Sequence, residues 1–293
     1  MALEGLHHIT AITADAPGNV AFYTQTLGLR MVKKTVNFDA PDVYHLYYGD
    51  ETGTPGSIMT FFEFPDAARG RAGDGMVHRI LWRVGSEAAL EFWARRLGSA
   101  PVFTDPEGLE HELVVFDAGR AGADSPLTAA VEGIPAEHAI QGFHGVRAFG
   151  SEPEASAALL ESQGFEPAGA GAWRLGGEQR HAYYHYDAPP DAYGVQGAGT
   201  VHHVAWSAAD DGELEVFRAR AAAQGAHATQ VIDRQYFHSV YFREPSGVLF
   251  ELATRDVGFD VDEPVESLGR ALKLPAQHEH LRARLEQTLT PLP

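Results

Sequence analysis

Apolar and polar positions recur along the chain in one order, and this order occurs four times. Each copy starts with a short apolar run that contains histidine, at residues 6–10, 77–81, 143–147 and 201–205. An amphipathic helical pattern follows and ends at a glycine about 20 to 23 residues after the first histidine of the run. Short β-type runs come next, at residues 43–48, 112–116, 181–184 and 239–242. The pattern predicts four βαβββ modules.

A single module of this size cannot bury both its helix and a sheet face, so we expect the modules to pair. The predicted fold is α+β, with four modules paired into two curved mixed β-sheets and flanking helices. We place an N-terminal pair at residues 1–135 (modules at about 1–64 and 75–118) and a C-terminal pair at 136–262 (about 140–187 and 200–256). Residues 263–293 form a tail that covers either a sheet edge or the cavity mouth. The segments 64–75, 119–140 and 187–200, which are rich in Gly, Ala, Pro or Asp, are the expected linkers.

The four copies differ at the second histidine position of the starting run. This position holds His8 in the first copy, Arg79 in the second, Gly145 in the third and His203 in the fourth. Arginine and glycine side chains do not ordinarily bind metal ions. Only the first and fourth copies therefore offer an imidazole ligand at this position.

A carboxylate follows a hairpin glycine by four residues in two of the copies. These carboxylates are Glu112 and Glu251, whereas the same offset in the first copy reaches Thr60. Together, His8, His203 and Glu251 make a set of two imidazoles and one carboxylate, which is typical of non-haem Fe(II) sites with open positions. This interpretation requires the first copy to pack against the fourth. A single histidine more often satisfies a buried hydrogen bond, and for Glu112, which has no partner ligand, the structural explanation is preferred.

Composition narrows the chemistry that the chain supports. The absence of cysteine excludes thiolate catalysis and cysteine-based metal sites, leaving His, Asp and Glu as ligands. A formal charge of -18 disfavours nucleic acid and anionic membranes as partners. No apolar run approaches the ~20 residues of a membrane span. The first ten residues lack the pattern of an export signal, and we expect a cytoplasmic protein.

Segments 6–10, 27–38, 44–48, 197–203 and 241–251 together resemble the vicinal-oxygen-chelate (glyoxalase/bleomycin-resistance/dioxygenase) superfamily, and within it the hydroquinone-type ring-cleaving dioxygenases. The resemblance covers nearly the whole chain. It implies the vicinal-oxygen-chelate fold and a metal, Fe(II) with Mn(II) as the alternative, that is bound by His8, His203 and Glu251. It also implies O2 and a small aromatic diol, either a hydroquinone or a catechol, as substrates, and a homo-oligomeric assembly.

The resemblance further assigns five polar residues around the metal: His7, Thr10, His202, Arg234 and Tyr241. The Tyr241 phenol is expected to hydrogen-bond a substrate oxygen or O2, and Arg234 to neutralise a phenolate. His7 and His202 are expected to exchange protons near neutral pH. The structural alternatives are a core tyrosine and a surface ion pair between the arginine and the preceding aspartate.

Two other functions remain open at this stage. A glyoxalase-I-like lyase needs a fourth protein ligand, and Thr60 stands where its carboxylate belongs, although Glu63 is nearby in the sequence. A non-catalytic binding or resistance protein needs no metal triad. Either core packing or an aryl-binding wall accounts for Phe61, Phe62, Tyr236 and Phe237, and strand alternation excludes His238 from the site.

Overall fold

The computed structural model describes residues 2–99, 101–116 and 124–292. The expected linker at 119–140 and the end of the second module at 118 therefore lie partly outside the described residues. Within these residues, no helix combines the length and apolar character needed to cross a membrane.

The strands and helices follow the four-module order. The first module contains β1 (Leu6–Thr13), the helix Ala16–Val20 with a π-helical continuation Ala21–Thr26, β2 (Arg30–Val36), β3 (Tyr44–Gly49) and β4 (Ile58–Glu63). The second contains β5 (Val77–Val84), the helix Glu87–Leu97, β6 (Val102–Thr104) and β7 (Glu110–Val115).

The third and fourth modules repeat this order with longer sets of strands. The third contains β8 (Phe143–Phe149), the helix Ala157–Ser162, β9 (Glu166–Gly169), β10 (Ala172–Gly176) and β11 (His181–Asp187). The fourth contains β12 (Val201–Ala208), the helix Asp211–Ala223, β13 (Ile232–Asp233), β14 (His238–Arg243) and β15 (Leu249–Thr254). Short 3-10 turns and the helix Arg282–Thr288 form the tail.

Helix ends follow local capping chemistry. Ser86 and Asp210 accept hydrogen bonds from the backbone N–H groups of Ala89 and Glu213, which cap the second and fourth helices. Gly98 ends the second helix at φ 72°, a left-handed conformation that glycine adopts without strain. The third helix is short, because a 3-10 turn at Pro153–Ser156 precedes it.

The described strands form two mixed sheets, and each sheet joins two modules. The first has the order β13-β14-β15-β12-β1-β4-β3-β2 and the second β6-β7-β5-β8-β11-β10-β9. Antiparallel pairing of β1 with β12 joins the first module to the fourth, and pairing of β5 with β8 joins the second to the third. The predicted α+β fold is confirmed.

Neither sheet lies within residues 1–135 or 136–262, because each sheet takes strands from both segments. The helices contact neighbouring modules in the chain, whereas each sheet joins modules that differ from these pairs. Arg96 donates to the carbonyl oxygen of Gln25, and Gln163 donates to that of Phe217. These contacts join the first module to the second and the third to the fourth. The division of the chain at residue 135 stays a prediction.

The two faces of the first sheet bury different sets of side chains. One face contributes Leu46, Trp206 and Phe250 to the large hydrophobic core shared with the helices. The other face carries a smaller cluster that includes Tyr47 and Phe237. Because side chains alternate along a strand, His8, His203 and Glu251 point to this second face.

Candidate metal site

Three buried side chains converge where the first and fourth modules meet. The distance between His8 Nε2 and His203 Nε2 is 3.2 Å. Glu251 Oε2 lies 3.2 Å from His8 Nε2 and 2.9 Å from His203 Nε2. The possible ligand atoms of the three residues all lie within 4.8 Å of one another.

Strand register produces this convergence. His8 on β1 pairs with Ala205 on β12, and Ala205 pairs with Glu251 on β15. His203 precedes Ala205 by two residues and pairs with Thr10. The three candidate ligands therefore occupy neighbouring positions on one face of three adjacent strands.

The donor set fits a divalent metal ion. Glu251 Oε2 is buried and has no hydrogen-bond partner among the described residues, while Oε1 accepts a hydrogen bond from the Ser239 hydroxyl. Burial raises the pKa of Glu251, but His8 and His203 outweigh it and hold the pKa well below its ordinary value. Burial also lowers the pKa of His203. Ionised carboxylate and neutral imidazole are the forms that bind metal ions.

His7 is placed to set the tautomer of His8. Its Nε2 lies 3.0 Å from the Thr254 carbonyl oxygen, which only accepts, so Nε2 carries the proton. Burial lowers the pKa of His7 to about 3, so the ring is neutral and Nδ1 is an acceptor. His8 Nδ1, at 2.9 Å, must then donate to it. This leaves the lone pair of His8 on Nε2, which faces the other two candidate ligands.

His202 has a different environment from His7. Its Nδ1 lies 2.8 Å from His203 Nδ1, and part of the residue is exposed to solvent where it lines the cavity. Desolvation and the neighbouring His203 lower the pKa of His202 to about 4. In both residues these shifts favour the neutral ring, and the expected proton exchange by His7 and His202 stays a prediction.

Arg234 and Tyr241 are hydrogen-bonded to each other in one wall of the cavity. Arg234 Nε donates to the Tyr241 hydroxyl at 3.3 Å, and Arg234 Nη1 donates to Asp39 Oδ2 at 3.1 Å. The partner of the guanidinium is thus Asp39, from the loop after β2, and not the neighbouring Asp233. Burial raises the pKa of Tyr241, which keeps its hydroxyl protonated.

A chain of hydrogen bonds borders the opposite side of the site. Thr10 Oγ1 lies 2.9 Å from Thr60 Oγ1, which lies 2.8 Å from His45 Nε2. His45 Nδ1 lies 2.8 Å from the Tyr47 hydroxyl, and the His45 ring packs against Phe62 with centroids 4.4 Å apart. The sequence alone did not predict His45 and Tyr47. Their position two residues apart on a predicted strand was the available signal that they share a face.

His8 and His203 of the triad line a cavity of about 600 Å³. Phe62 and Phe237 line it, whereas Phe61 packs in the main core and Tyr236 is absent from the described lining, so core packing accounts for these two. His238 is absent from the described lining, as alternation predicts. The lining residues are His8, Ile12, Asn37, Phe38, Asp39, Ala40, His45, Tyr47, Phe62, Phe64, His202, His203, Arg234, Phe237, Tyr241 and Leu249.

Comparison with known proteins decides the family. The family model described as Glyoxalase/Bleomycin resistance protein/Dioxygenase superfamily matches residues 5–107 and 75–252. The chain belongs to this superfamily. The resemblance drawn from the sequence motifs is confirmed.

Among curated relatives, the "Putative ring-cleaving dioxygenase MhqO" of Bacillus subtilis is 39% identical over 98% of this chain and 96% of its own length. The chlorohydroquinone/hydroquinone 1,2-dioxygenase of Sphingobium indicum is 33% identical over 98% of this chain and 96% of its own length. This similarity over the full length supports the prediction that the chain is an oxygen-incorporating enzyme.

Solved structures of similar proteins show the same fold. The crystal structure of a "putative dioxygenase" from Bacillus subtilis superposes with a TM-score of 0.90 at 38% identity, over 100% of this chain and 98% of that one. Glyoxalase I from Zea mays superposes with a TM-score of 0.58 at 14% identity, over 86% and 92%. The second likeness extends to the fold alone.

A superfamily lyase would place a fourth ligand where this chain has Thr60. The Thr60 hydroxyl is engaged by Thr10 and His45 instead. Burial raises the pKa of Glu63, although hydrogen bonds from Thr290 and the Ala16 backbone oppose this shift. Among the described residues, the cluster around the cavity thus has three candidate ligands, which agrees with a site that keeps open positions.

The equivalent position in the second sheet holds a salt bridge. Arg79 stands where the first module has its candidate histidine ligand, and its guanidinium donates to Glu112 at 2.9 Å and Glu110 at 3.0 Å. A guanidinium thus neutralises the carboxylate there. This geometry agrees with the structural explanation of Glu112.

Proposed function

We propose that this protein is a non-haem Fe(II)-dependent, extradiol-type ring-cleaving dioxygenase that acts on aromatic diols. The observation that carries the proposal is the convergence of His8, His203 and Glu251 beside an aromatic-lined cavity of about 600 Å³. This volume lies in the range of small-molecule sites. Two imidazoles and one carboxylate with open positions are the ligand set of Fe(II) oxygenases, and Mn(II) is the alternative ion.

The metal, when bound by these three residues, would supply the Lewis-acid and redox chemistry that lets O2 react with the ring. The protein contributes orientation and proton placement. Ser239 holds one oxygen of Glu251, which directs the other toward the two imidazoles. Tyr241, kept protonated by burial, presents a hydroxyl beside Arg234 for a substrate oxygen.

The cavity walls suit a flat aromatic ring. Phe62, His45 and Tyr47 form a continuous row of rings, with centroid distances of 4.4 and 4.0 Å. Phe237 packs beside His8 with centroids 5.0 Å apart, next to the triad. Such walls bind a ring through offset or edge contacts and exclude water from the reacting groups.

Hydroquinones are the preferred substrates in this proposal. The relative named as a chlorohydroquinone/hydroquinone 1,2-dioxygenase supports para-diols, and catechols are the alternative. The proposal also includes a homo-oligomeric assembly and a cytoplasmic location, which stay predictions of the sequence.

The test begins with metal content. Protein purified without air should contain stoichiometric iron and should consume O2 when hydroquinones are added. His8→Ala and Glu251→Ala should each lower O2 uptake by more than about 1,000-fold, since loss of a ligand removes the metal. Glu112→Ala is the matched control: it removes the equivalent carboxylate of the second module and should leave O2 uptake unchanged.

Two outcomes would contradict the proposal. Bound metal without O2 uptake, together with conversion of a methylglyoxal–glutathione adduct, would indicate a lyase. Protein that binds diols but no metal would indicate a binding protein.

A further inference from the structure

Two oppositely charged side chains of the cavity lining, Arg234 and Asp39, form an ion pair near the cavity rim. Among the described lining residues, Arg234 has the permanent positive charge and Asp39 the carboxylate. Arg234 Nη1 lies 3.1 Å from Asp39 Oδ2, and Arg234 Nε is engaged by the Tyr241 hydroxyl at 3.3 Å. The guanidinium that could bind an anionic substrate group is therefore already partnered on two sides.

The loop after β2 holds Asp39 in place although its side chain is 78% exposed. The Asp39 backbone N–H donates to the Asn37 side chain at 2.8 Å, and Asn37 N–H donates to the Val43 carbonyl oxygen at 3.0 Å. The tail adds a third contact, because His278 Nε2 lies 2.9 Å from the Phe38 carbonyl oxygen. These bonds present the carboxylate to the guanidinium.

Part of the cavity wall gives a carboxylate-bearing substrate no compensation. Ile12, Phe64 and Leu249 are apolar lining residues, and an unpaired carboxylate that loses water against such a wall is destabilised. Asp39 adds repulsion at the same place where Arg234 would otherwise attract. The electrostatics of this wall therefore favour uncharged ring substituents.

We propose that Asp39 is a specificity-determining residue, which neutralises Arg234 and thereby restricts the cavity to aromatic diols whose ring substituents carry no charge. This inference rests on the proposed function and goes beyond it, since it selects among diols by the charge of their substituents.

The experiment compares two ligands that differ in one charge, 2,5-dihydroxyphenylacetate and its methyl ester. Their dissociation constants are measured by calorimetry on the full-length, iron-loaded protein without O2, so that binding occurs without turnover. The protein should bind the ester at least about tenfold more tightly than the acid. In Asp39→Asn, the ratio should shift toward the acid by about fivefold or more, because the freed Arg234 then pairs with the ligand carboxylate.

Two further variants identify the cause of the shift. Asp42→Asn removes the same charge from the same loop, but Asp42 pairs with Arg284 at 2.7 Å and is absent from the described lining. It should leave the ratio unchanged. The double variant Asp39→Asn/Arg234→Gln should lose the gain in acid binding, since the partner of the ligand carboxylate is then gone.

An unchanged ratio in Asp39→Asn would overturn the inference, as would an equal shift in Asp42→Asn, which would indicate a general effect of net charge. Failure of the proposed function is a separate observation. It would appear as no O2 uptake with uncharged hydroquinones by the unmodified protein, whatever the binding ratio.

Discussion

The two His-His pairs place identical residues in unlike surroundings, and we expect the first residue of each pair to differ in role. His7 is buried and bonded to a backbone carbonyl, so we expect it to act through the tautomer of His8. His202 is partly exposed to solvent and lines the cavity. Groups behind metal-binding histidines commonly orient the ring and tune its basicity.

His7→Leu should weaken metal binding by about 10- to 100-fold, because His8 then loses the acceptor that keeps its proton on Nδ1. The measurement is a competition titration with a chelator under anaerobic conditions. His7→Asn is the matched variant, since an amide oxygen near the position of Nδ1 can accept the same proton, and it should recover most of the affinity. Equal affinities for the unmodified protein and His7→Leu would show that the tautomer of His8 does not depend on His7.

For individual residues, comparison of the four copies was sufficient to predict that His8, His203 and Glu251 converge. Equivalent positions in repeated modules occupy equivalent places on their strands. Other residues near the site depend on contacts between distant segments. Asp39 meets Arg234 across 195 positions of the chain. No local pattern predicts such a pair, and the sequence instead suggested the adjacent Asp233.

At the scale of elements, helices of one module dock on the hairpin turn of the next. The Tyr23 hydroxyl donates to Asp105 at 3.1 Å, in the turn before β7. In the other half, the Ser156 hydroxyl donates to Glu244, in the turn before β15. Each carboxylate also accepts backbone N–H groups of its own turn. The same connection therefore occurs in both halves of the chain.

Asp105 should make stability depend on pH. Burial raises its pKa to about 6, although backbone hydrogen bonds and Tyr23 oppose the shift. Between about pH 4 and 6 the unfolded chain releases this proton first, so the folded state binds more protons and its stability falls as pH rises. The stability advantage of the unmodified protein over Asp105→Asn, from urea unfolding, should therefore shrink by up to about 3 kcal/mol over this range. A constant difference would contradict a raised pKa.

Strand and helix positions were predictable from periodicity and capping residues, but helix geometry was not. The first helix continues as a π-helical segment, with Leu27 N–H donating to the Phe22 carbonyl oxygen. This segment carries Tyr23, whose hydroxyl is bonded to Asp105 and lies 3.0 Å from His111. The hydrophobic periodicity of a sequence predicts which face of a helix is buried. It carries no information on contacts with another module, and the π-helical segment lies where such contacts are made.

At the scale of the molecule, the candidate metal ligands predicted which modules share a sheet better than the order of the modules along the chain did. The metal interpretation required the first module to meet the fourth, and β1 pairs with β12 in the structure. Chain order suggested pairs one–two and three–four, and the helices follow that order. A repeat pattern alone does not tell which edge strands pair, because all four starts are similar.

The tail takes one of the two placements that the sequence left open, the sheet edge. Its Lys273 N–H donates to the Lys34 carbonyl oxygen at 2.9 Å, which extends the edge of the first sheet at β2. Farther along, His278 contacts the loop that lines the cavity. The tail thus connects the sheet edge to the cavity rim.

The segment that leads into the tail is fastened by a buried ion pair. Lys33 Nζ lies 2.6 Å from Asp262 Oδ1, 2.5 Å from Glu263 Oε2 and 3.0 Å from the Phe259 carbonyl oxygen. The Lys33 side chain is 0% exposed, and that of Glu263 is 3% exposed. All three ammonium protons therefore have acceptors, which a buried charge requires.

Lys33→Met should destabilise the protein by about 3–5 kcal/mol, because it leaves the buried Glu263 carboxylate without its partner. The measurement is urea unfolding combined with hydrogen exchange, in which the tail amides should lose protection first. Lys34→Met is the control: it removes the same charge one residue away, on a side chain for which the described residues show no salt bridge. Adding Glu263→Met to Lys33→Met should recover most of the loss, since no buried charge remains unpaired. A loss of equal size in Lys34→Met would mean that overall charge, and not the buried pair, holds the tail against the first sheet.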